Sequence, residues 1–275
     1  MTHIVQFSGG KDSTALVLWA KEQGWPFTAV FYDTGWESPV TLAYVEYINQ
    51  RVLGGALVTV KSQKYDGLAD LSAKRKIVPS VRMRFCTEEL KIKPFVAWMT
   101  AQAFDEVTVY QGIRANESHA RSQMPARVYE PLYEAWIERP LFAWTAEQVF
   151  EMHDKHGVDP NPLYLAGAKR VGCWPCVMIN KGELRRLSST HPEIWDQIAK
   201  VENAVAAGRS FFRTDYIPAR FHTGDYTKIP RGESVSESGT FPTWQDVKFY
   251  VTRPDQLDLW DDEPTRCLSV YNLCE

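Results

Sequence analysis

The sequence predicts an α/β protein: a parallel sheet with helices on both faces, followed by a helical and loop-rich region that carries a Cys-x-x-Cys pair. Three observations predict it. Runs of β-forming residues recur at 4–7, 28–32, 57–60 and 107–110. Helical patterns separate them at 13–23, 38–52 and 88–103. The first run also ends in a glycine turn, Ser8-Gly9-Gly10-Lys11-Asp12-Ser13. Strands alternating with helices build βαβ units and therefore parallel pairing. Ligands on such sheets bind beyond the carboxyl ends of the strands. The residues to read for chemistry are then Ser8–Ser13, Asp33-Thr34-Gly35 and Gln111-Gly112-Ile113-Arg114.

The first element is the run Ile4, Val5 and Phe7, and the glycine turn leads from it into Ala15-Leu16-Val17-Leu18-Trp19-Ala20, long and apolar enough for a helix. Strand, glycine turn, helix lays backbone N–H groups and a positive helix end around an anion. Two glycines allow a tight turn and a close backbone approach to a phosphate. Lys11 adds a point charge, and Ser8 and Ser13 add hydroxyl donors. The pattern is not a Walker A loop, because Gly10-Lys11 is followed by Asp12 and no glycine stands at the required earlier position.

The second strand ends at Asp33. A turn aspartate is most often structural, whereas one at a strand's carboxyl end beside the glycine loop also suits Mg²⁺ or a ribose. The fourth strand leads into Gly112-Ile113-Arg114-Ala115-Asn116-Glu117-Ser118, with Arg121 three residues on. Arginine offers bidentate, permanent contacts to phosphate, while Glu117 and Arg121 at i, i+4 also read as a plain helix ion pair. His119, inside this segment, is within reach of the same phosphate.

After about residue 140 the pattern changes. Thr145 caps a helix over 146–153, with Glu147 and Gln148 in its first turn. Pro160, Asn161 and Pro162 break the chain, and a further helix runs from Pro192 to about Ala207, making His191 a structural residue at its start. Turn formers dominate from 208 to 242, and 232–239 reads as a mobile loop. Two domains are expected, 1–165 and 166–275.

The bulk composition fits a soluble globular protein: 275 residues, 44% hydrophobic and 24% charged. Lys11 and Asp12 interrupt the N-terminal apolar stretch, which argues against a signal peptide, and no run approaches a membrane span. A cytoplasmic location without a membrane partner is the expectation. A net charge of −3 argues against wholesale nucleic-acid binding, but between Lys74 and Lys93 seven bases face two acids, a local balance of +5. Such a run is either a solvated helix face or an anion platform, and Lys181, Arg185 and Arg186 extend the second reading. The ten tryptophans suit a core or interface role. Structural disulfides are not expected in a cytosolic protein. Of the five cysteines, Cys173 and Cys176 form a Cys-x-x-Cys that suits a redox pair, half a zinc site or part of an iron–sulfur site.

Ser8-Gly-Gly-Lys-Asp-Ser13 directly after an N-terminal strand resembles the PP-loop of the ATP pyrophosphatases, the adenine nucleotide α-hydrolase-like superfamily. That resemblance implies a Rossmann-like parallel sheet, ATP and Mg²⁺, cleavage between the α and β phosphates, and release of pyrophosphate. Asp33-Thr-Gly-x-x-x-Pro39-x-Thr41 and Gly112-Ile-Arg-x-x-Glu117-Ser-x-x-Arg121 are similar to segments of one branch, the phosphoadenosine phosphosulfate (PAPS) reductase family. Pro140-Leu-Phe-Ala-Trp144-Thr, Asn161-Pro-Leu-Tyr164 and Arg170-Val-Gly-Cys173 continue the likeness, which covers residues 1 to about 180.

The resemblance implies that Lys11, Asp12 and Arg114 are catalytic. It implies ATP binding by Ser8, Gly9, Gly10, Lys11, Asp12, Ser13, Asp33, Gly112, Arg114, Glu117 and Arg121. It maps Cys86, Cys173 and Cys176 onto ligands of a [4Fe–4S] cluster. Members with a fully ligated cluster carry a paired Cys-Cys where Phe85 precedes Cys86 here, which leaves an open iron or a fourth ligand from Cys267 or Cys274. The implied function is that of an ATP pyrophosphatase, or adenylyl-transferring enzyme, activating a substrate for sulfur transfer on nucleic acid, as the proteins of DNA phosphorothioate modification do. The alternatives are a PAPS or adenylylsulfate reductase releasing sulfite, and a non-catalytic cluster-holding partner. Lys11 favours the first, because a triphosphate carries the charge it would complement. Expected partners are a nucleotide, nucleic acid, a sulfur donor such as a cysteine desulfurase, and a second copy in a homodimer.

Overall fold

The computed structural model describes residues 1–80, 82–205, 208–228 and 237–253. In chain order its elements are β1 (Thr2–Phe7), α1 (Lys11–Glu22), β2 (Thr28–Asp33), α2 (Pro39–Arg51), β3 (Val58–Lys61), α3 (Leu68–Arg75), α4 (Phe85–Thr87), a π-helical turn (Glu88–Ile92) and α5 (Lys93–Gln102). There follow β4 (Val107–Tyr110), α6 (His119–Ser122), β5 (Arg127–Glu130), β6 (Ala135–Glu138), α7 (Ala146–Lys155) and α8 (Pro162–Leu165). The last are α9 (Lys181–Thr190), α10 (Ile194–Ala204), β7 (Gly224–Lys228), β8 (Glu237–Phe241) and α11 (Trp244–Thr252). They divide into two units. The first holds residues 1–63 and 89–173; the second holds 64–88 and the described residues from 174 to 253. The expected boundary at 165/166 thus differs from the division observed, in which 64–88 groups with the C-terminal region.

The first unit is the α/β body that the alternating pattern predicts. Its six-stranded sheet runs β3-β2-β1-β4-β6-β5, parallel throughout except for the β5–β6 pair. Side-chain alternation along each strand sends successive residues to opposite faces. Val5, Phe7 and Phe31 pack with Leu16, Ile48, Val149 and Met152 from α1, α2 and α7 on one face. Ile4, Val30, Val109 and Ile137 pack with Phe95 and Met99 of α5 on the other. Each fully buried Leu or Phe contributes about 1.5–3 kcal/mol. These two layers hold the strand ends, and hence the loops beyond them, in place.

The hairpin β5–β6 is absent from the sequence expectation. Each strand has four residues, and β5 is half exposed at the sheet edge. Arg127, Glu130 and Glu138 interrupt both runs with charge, so neither reads as the continuous β-forming stretch seen at 57–60 and 107–110.

In the second unit α10 packs on α3 and on α11, and α9 packs on α11. The helix expected from Pro192 starts at Ile194, because Pro192 and Glu193 form its preceding turn. The Trp174 ring meets His191 edge-on at 5.0 Å, and the His191 backbone N–H closes α9 on Leu187, a structural role as expected. The loop expected over 232–239 lies partly outside the described residues. Its final part is corrected to strand, since Glu237–Phe241 pairs antiparallel with Gly224–Lys228. Among the described residues no helix is long and apolar enough to cross a membrane.

Candidate functional site

The glycine loop sits at the carboxyl end of β1, between the ends of β2 and β4 in the sheet. Gly9 has φ +74°, the left-handed region, and a Cβ there would meet Thr41 and Val45 at 3.0 Å. Only glycine takes that conformation without strain. The loop then closes on itself. The Ser13 hydroxyl donates to the Gly10 carbonyl at 2.9 Å and accepts from the Ser8 backbone N–H at 3.1 Å. Gly10 caps α1 with no side-chain partner, so the first amides of α1 form the positive, donor-rich helix end expected at an anion site.

Three of the expected catalytic residues converge here. Arg114 Nε donates to Asp12 Oδ1 at 2.5 Å, and Lys11 Nζ stands 3.2 Å from Asp12 Oδ2. All three are buried, with Lys11 9% and Arg114 3% exposed. Arg114 Nη1 is buried without a hydrogen-bond partner. The cluster therefore sets two cations against one carboxylate. A buried guanidinium N–H left unmade costs about 1–3 kcal/mol or more, so an anion arriving at Nη1 would recover that energy. Gly112 permits the approach: a Cβ on it would stand 2.8 Å from the Asp12 carbonyl oxygen.

Other predicted residues have more local roles. Asp33 Oδ1 accepts from the Gly35 N–H at 2.8 Å, an Asx turn, and Oδ2 is 3.8 Å from Lys61 Nζ. Glu117 Oε2 accepts from the Arg114 backbone N–H at 3.1 Å and pairs with Arg121. Glu117 and Arg121 do pair, but across a break rather than along one helix: Glu117 ends a 3-10 turn, Ser118 is extended and Arg121 lies in α6. Glu117 also fixes the Arg114 backbone. His119, in the same segment, is exposed.

Sequence reasoning missed the residues beneath the loop. His153 on α7 is fully buried; its Nε2 faces the Lys11 carbonyl at 2.9 Å and its Nδ1 faces the Val158 carbonyl at 3.2 Å. Asn161 Nδ2 donates to the Gly9 carbonyl at 3.0 Å. The Tyr164 hydroxyl accepts from the Lys11 backbone N–H at 3.2 Å, and Lys11 Nζ lies 5.2 Å from the Tyr164 ring centre. Burial pushes the Tyr164 phenol up, and the negative Asp12 adds to it, so Tyr164 stays protonated. Burial lowers His153 against the opposing pull of its two carbonyls and Asp12. Arg139, at the end of β6, is also buried: it donates from Nη1 to the Pro125 carbonyl at 2.6 Å and leaves Nε unpartnered. Asn161 and Tyr164 belonged to a recognisable string, but no local pattern announced what they touch.

Glu37 is a half-buried acid. Its carboxylate accepts from Thr34 Oγ1 at 2.5 Å and from the N–H groups of Thr34 and Trp36. Burial raises its pKa, opposed by the Thr34 hydrogen bond and by Lys91.

The cysteines are divided between the two units. Cys86 and Cys176 share the second unit, and burial pushes the Cys86 thiol up, with Cys176 adding to the effect. Cys173 belongs to the first unit, where its backbone bridges Glu37. None of the three is disulfide-bonded. Among the described residues no group of three or more His, Cys, Asp or Glu side chains is gathered to hold a metal ion. The donor chemistry of the three thiols suits a cluster. Cys267 and Cys274 lie outside the described residues.

The +5 segment is divided between the two units. Lys74, Arg75, Lys76, Arg82 and Arg84 lie in the second unit, while Lys91 and Lys93 lie in the first. Lys74 pairs with Asp70 at 2.8 Å, Lys93 with Glu89 at 2.7 Å, and the Arg75 guanidinium lies over Phe85.

Comparison with known proteins agrees with this architecture. Residues 2–178 match the phosphoadenosine phosphosulfate reductase domain. An uncharacterized 37.8 kDa protein of Escherichia phage 186 is 30% identical over an alignment spanning 99% of this chain and 96% of that protein. The adenosine 5′-phosphosulfate reductase of Deinococcus radiodurans is 28% identical over 57% of this chain and 59% of that enzyme. The crystal structure of a phosphoadenylyl-sulfate reductase from Candida auris superposes with a TM-score of 0.50 at 18% identity, covering 64% of this chain and 83% of that one. With a parallel sheet, a braced glycine loop and a match across the whole first unit, the chain belongs to the phosphoadenosine phosphosulfate reductase family.

Proposed function

We propose that the protein is an ATP pyrophosphatase that adenylylates an acceptor and thereby activates it for sulfur transfer, the acceptor being nucleic acid. The observation that supports this most is the buried cluster at the loop: Lys11 and Arg114 around Asp12, with Arg114 Nη1 unpartnered. An acceptor oxygen attacks the α-phosphorus of ATP, and the bond to the bridging oxygen breaks. Pyrophosphate leaves with the electron pair, and the proton of the acceptor passes to solvent. Charge builds up on the departing pyrophosphate, where the loop amides, Lys11 and Arg114 stabilise it. Mg²⁺, arriving with ATP, neutralises phosphate charge when bound. A sulfur nucleophile then displaces AMP from the acceptor. The expected donor, a cysteine desulfurase, carries this sulfur as a persulfide, which a thiol reductant releases. Cys86, Cys173 and Cys176 are the residues to hold a [4Fe–4S] cluster in this reading, on the strength of their thiol chemistry and the Cys-x-x-Cys spacing.

A second reading, reduction of a sulfonucleotide to sulfite, is favoured by relatives named adenosine 5′-phosphosulfate reductases. One experiment separates the two. The purified protein is incubated with ATP and Mg²⁺, and in parallel with PAPS or adenylylsulfate and a thiol. Pyrophosphate release is expected in the first arm. Sulfite release at enzymatic rates without ATP, or orthophosphate as the sole ATP product, would overturn the proposal.

A further inference from the structure

We infer that a cleft within the second unit binds single-stranded nucleic acid through its phosphates. The inference rests on the proposed nucleic-acid acceptor and gives that acceptor a location. The cleft has a volume of about 910 Å³, and Arg82, Lys181, Arg213, Asp215, Tyr216 and His222 line it. Lys181 is the first residue of α9, so the positive helix end adds to its charge.

The charge of the cleft differs from that of the basic residues around it. Arg186 pairs with Glu183 at 2.5 Å, and Arg185 donates to the Val251 carbonyl at 3.1 Å. Lys74 is held by Asp70. These side chains are engaged within the unit itself, Arg185 tying α9 to α11. Arg82 and Lys181, by contrast, have no carboxylate partner among the described residues; Lys181 only overhangs the Tyr250 ring, 5.8 Å from its centre. Arg213 pairs with Asp215 at 3.0 Å, but both are exposed, and such a pair is worth about 0.2–1 kcal/mol and is readily exchanged for a phosphate. Three cations against one carboxylate leave the cleft with a surplus of positive charge.

The walls define what fits. His222 holds both ring nitrogens in contacts, to the Thr240 hydroxyl and the Ile217 carbonyl, each at 3.1 Å. It ties Ile217 to β8 at the wall of the cleft. Binding pockets of roughly 300–1,000 Å³ suit small ligands, so a cleft of this size admits a few nucleotides of one strand and excludes a duplex. Three separate cations suit a chain of phosphates, which offers one anion to each.

Phosphate contacts release counterions, and for single strands the slope of log K against log salt is about −0.7 per contact. Fluorescence anisotropy with a short labelled single strand, as DNA and as RNA, reads this directly. With three contacts, binding should weaken about twentyfold between 50 and 200 mM salt. In the Arg82→Gln/Lys181→Gln double variant the same salt step should cost only about threefold, and circular dichroism confirms that this variant is folded. Arg213→Gln, a change at an exposed side chain, should lower the slope by about 0.7 on its own. Wild-type protein that binds neither strand at 50 mM salt overturns the inference, as does a slope unchanged in all variants. Pyrophosphate release by the wild type is measured separately, so the failure of the acceptor site and the failure of the ATP reaction are told apart.

Discussion

Arg114 and Asp12, 102 residues apart in sequence, meet through a single 2.5 Å hydrogen bond from Nε to Oδ1, which leaves Nη1 of the same guanidinium buried and unpartnered. A guanidinium fork that satisfied a carboxylate fully would use two parallel N–H groups. Here Nε holds the loop and Nη1, on the far side of the guanidinium, remains open. That division suits a site that keeps its shape when empty and accepts a phosphate oxygen when filled.

Removing the point charge tests the site most directly. Lys11→Ala should reduce the rate of pyrophosphate release by about two to three orders of magnitude, the scale for one donor to a developing charge. Full activity in this variant, measured by a coupled pyrophosphate assay, sinks the assignment of Lys11.

Gly112→Ala tests the close approach of the β4 arm to the loop. The added Cβ stands 2.8 Å from a backbone oxygen of Asp12, which cannot rotate away. Overpacking of this kind costs about 1–3 kcal/mol. A urea titration should show the loss, and an unchanged midpoint would mean that the arm moves freely.

The brace under the loop predicts an effect on nucleotide affinity. Tyr164→Phe leaves the buried Lys11 amide without its acceptor, a cost of about 1–3 kcal/mol. Titration calorimetry with a non-hydrolysable ATP analogue should show weaker binding. Equal affinity in the variant would show that the loop is rigid without Tyr164.

His153 carries a pH dependence. Burial holds its folded pKa below the ordinary value of about 6.5. The unfolded chain therefore takes up a proton first as pH falls, and stability present above about pH 6.5 is lost below it. Thermal melts between pH 7.5 and 5.5 should show this decline, and His153→Gln should flatten it. An identical decline in that variant would assign it to other groups.

The cysteines make a coloured prediction. Protein purified without oxygen should be brown, with near four irons per chain for a [4Fe–4S] cluster. Cys86→Ser, Cys173→Ser and Cys176→Ser should each bleach it, whereas Cys274→Ser should do so only if the cluster has a fourth protein ligand. Stoichiometric zinc without iron in such preparations would refute the cluster.

The sequence by itself determined the elements whose cause is local. β1, β2, β3 and β4 appear where β-forming runs stand between helical patterns, and the glycine loop appears where two glycines follow the first of them. Thr145 forms the capping box with Gln148 that its spacing predicts. Glu117 and Arg121, four residues apart, pair across the short turn that joins them. In each case the cause acts within a few residues: backbone sterics, helical period, or a side chain that reaches its own turn. Only the tertiary structure decided which distant groups meet. Asn161 supports Gly9 across 152 residues, Tyr164 supports Lys11 across 153, and His153 supports the same residue across 142. It also decided that Lys74 is neutralised while Arg82 lines a cleft, although the two look alike in the chain. Contacts of this kind follow from how packed layers bring strand ends and helices together, and no local run of residues encodes them.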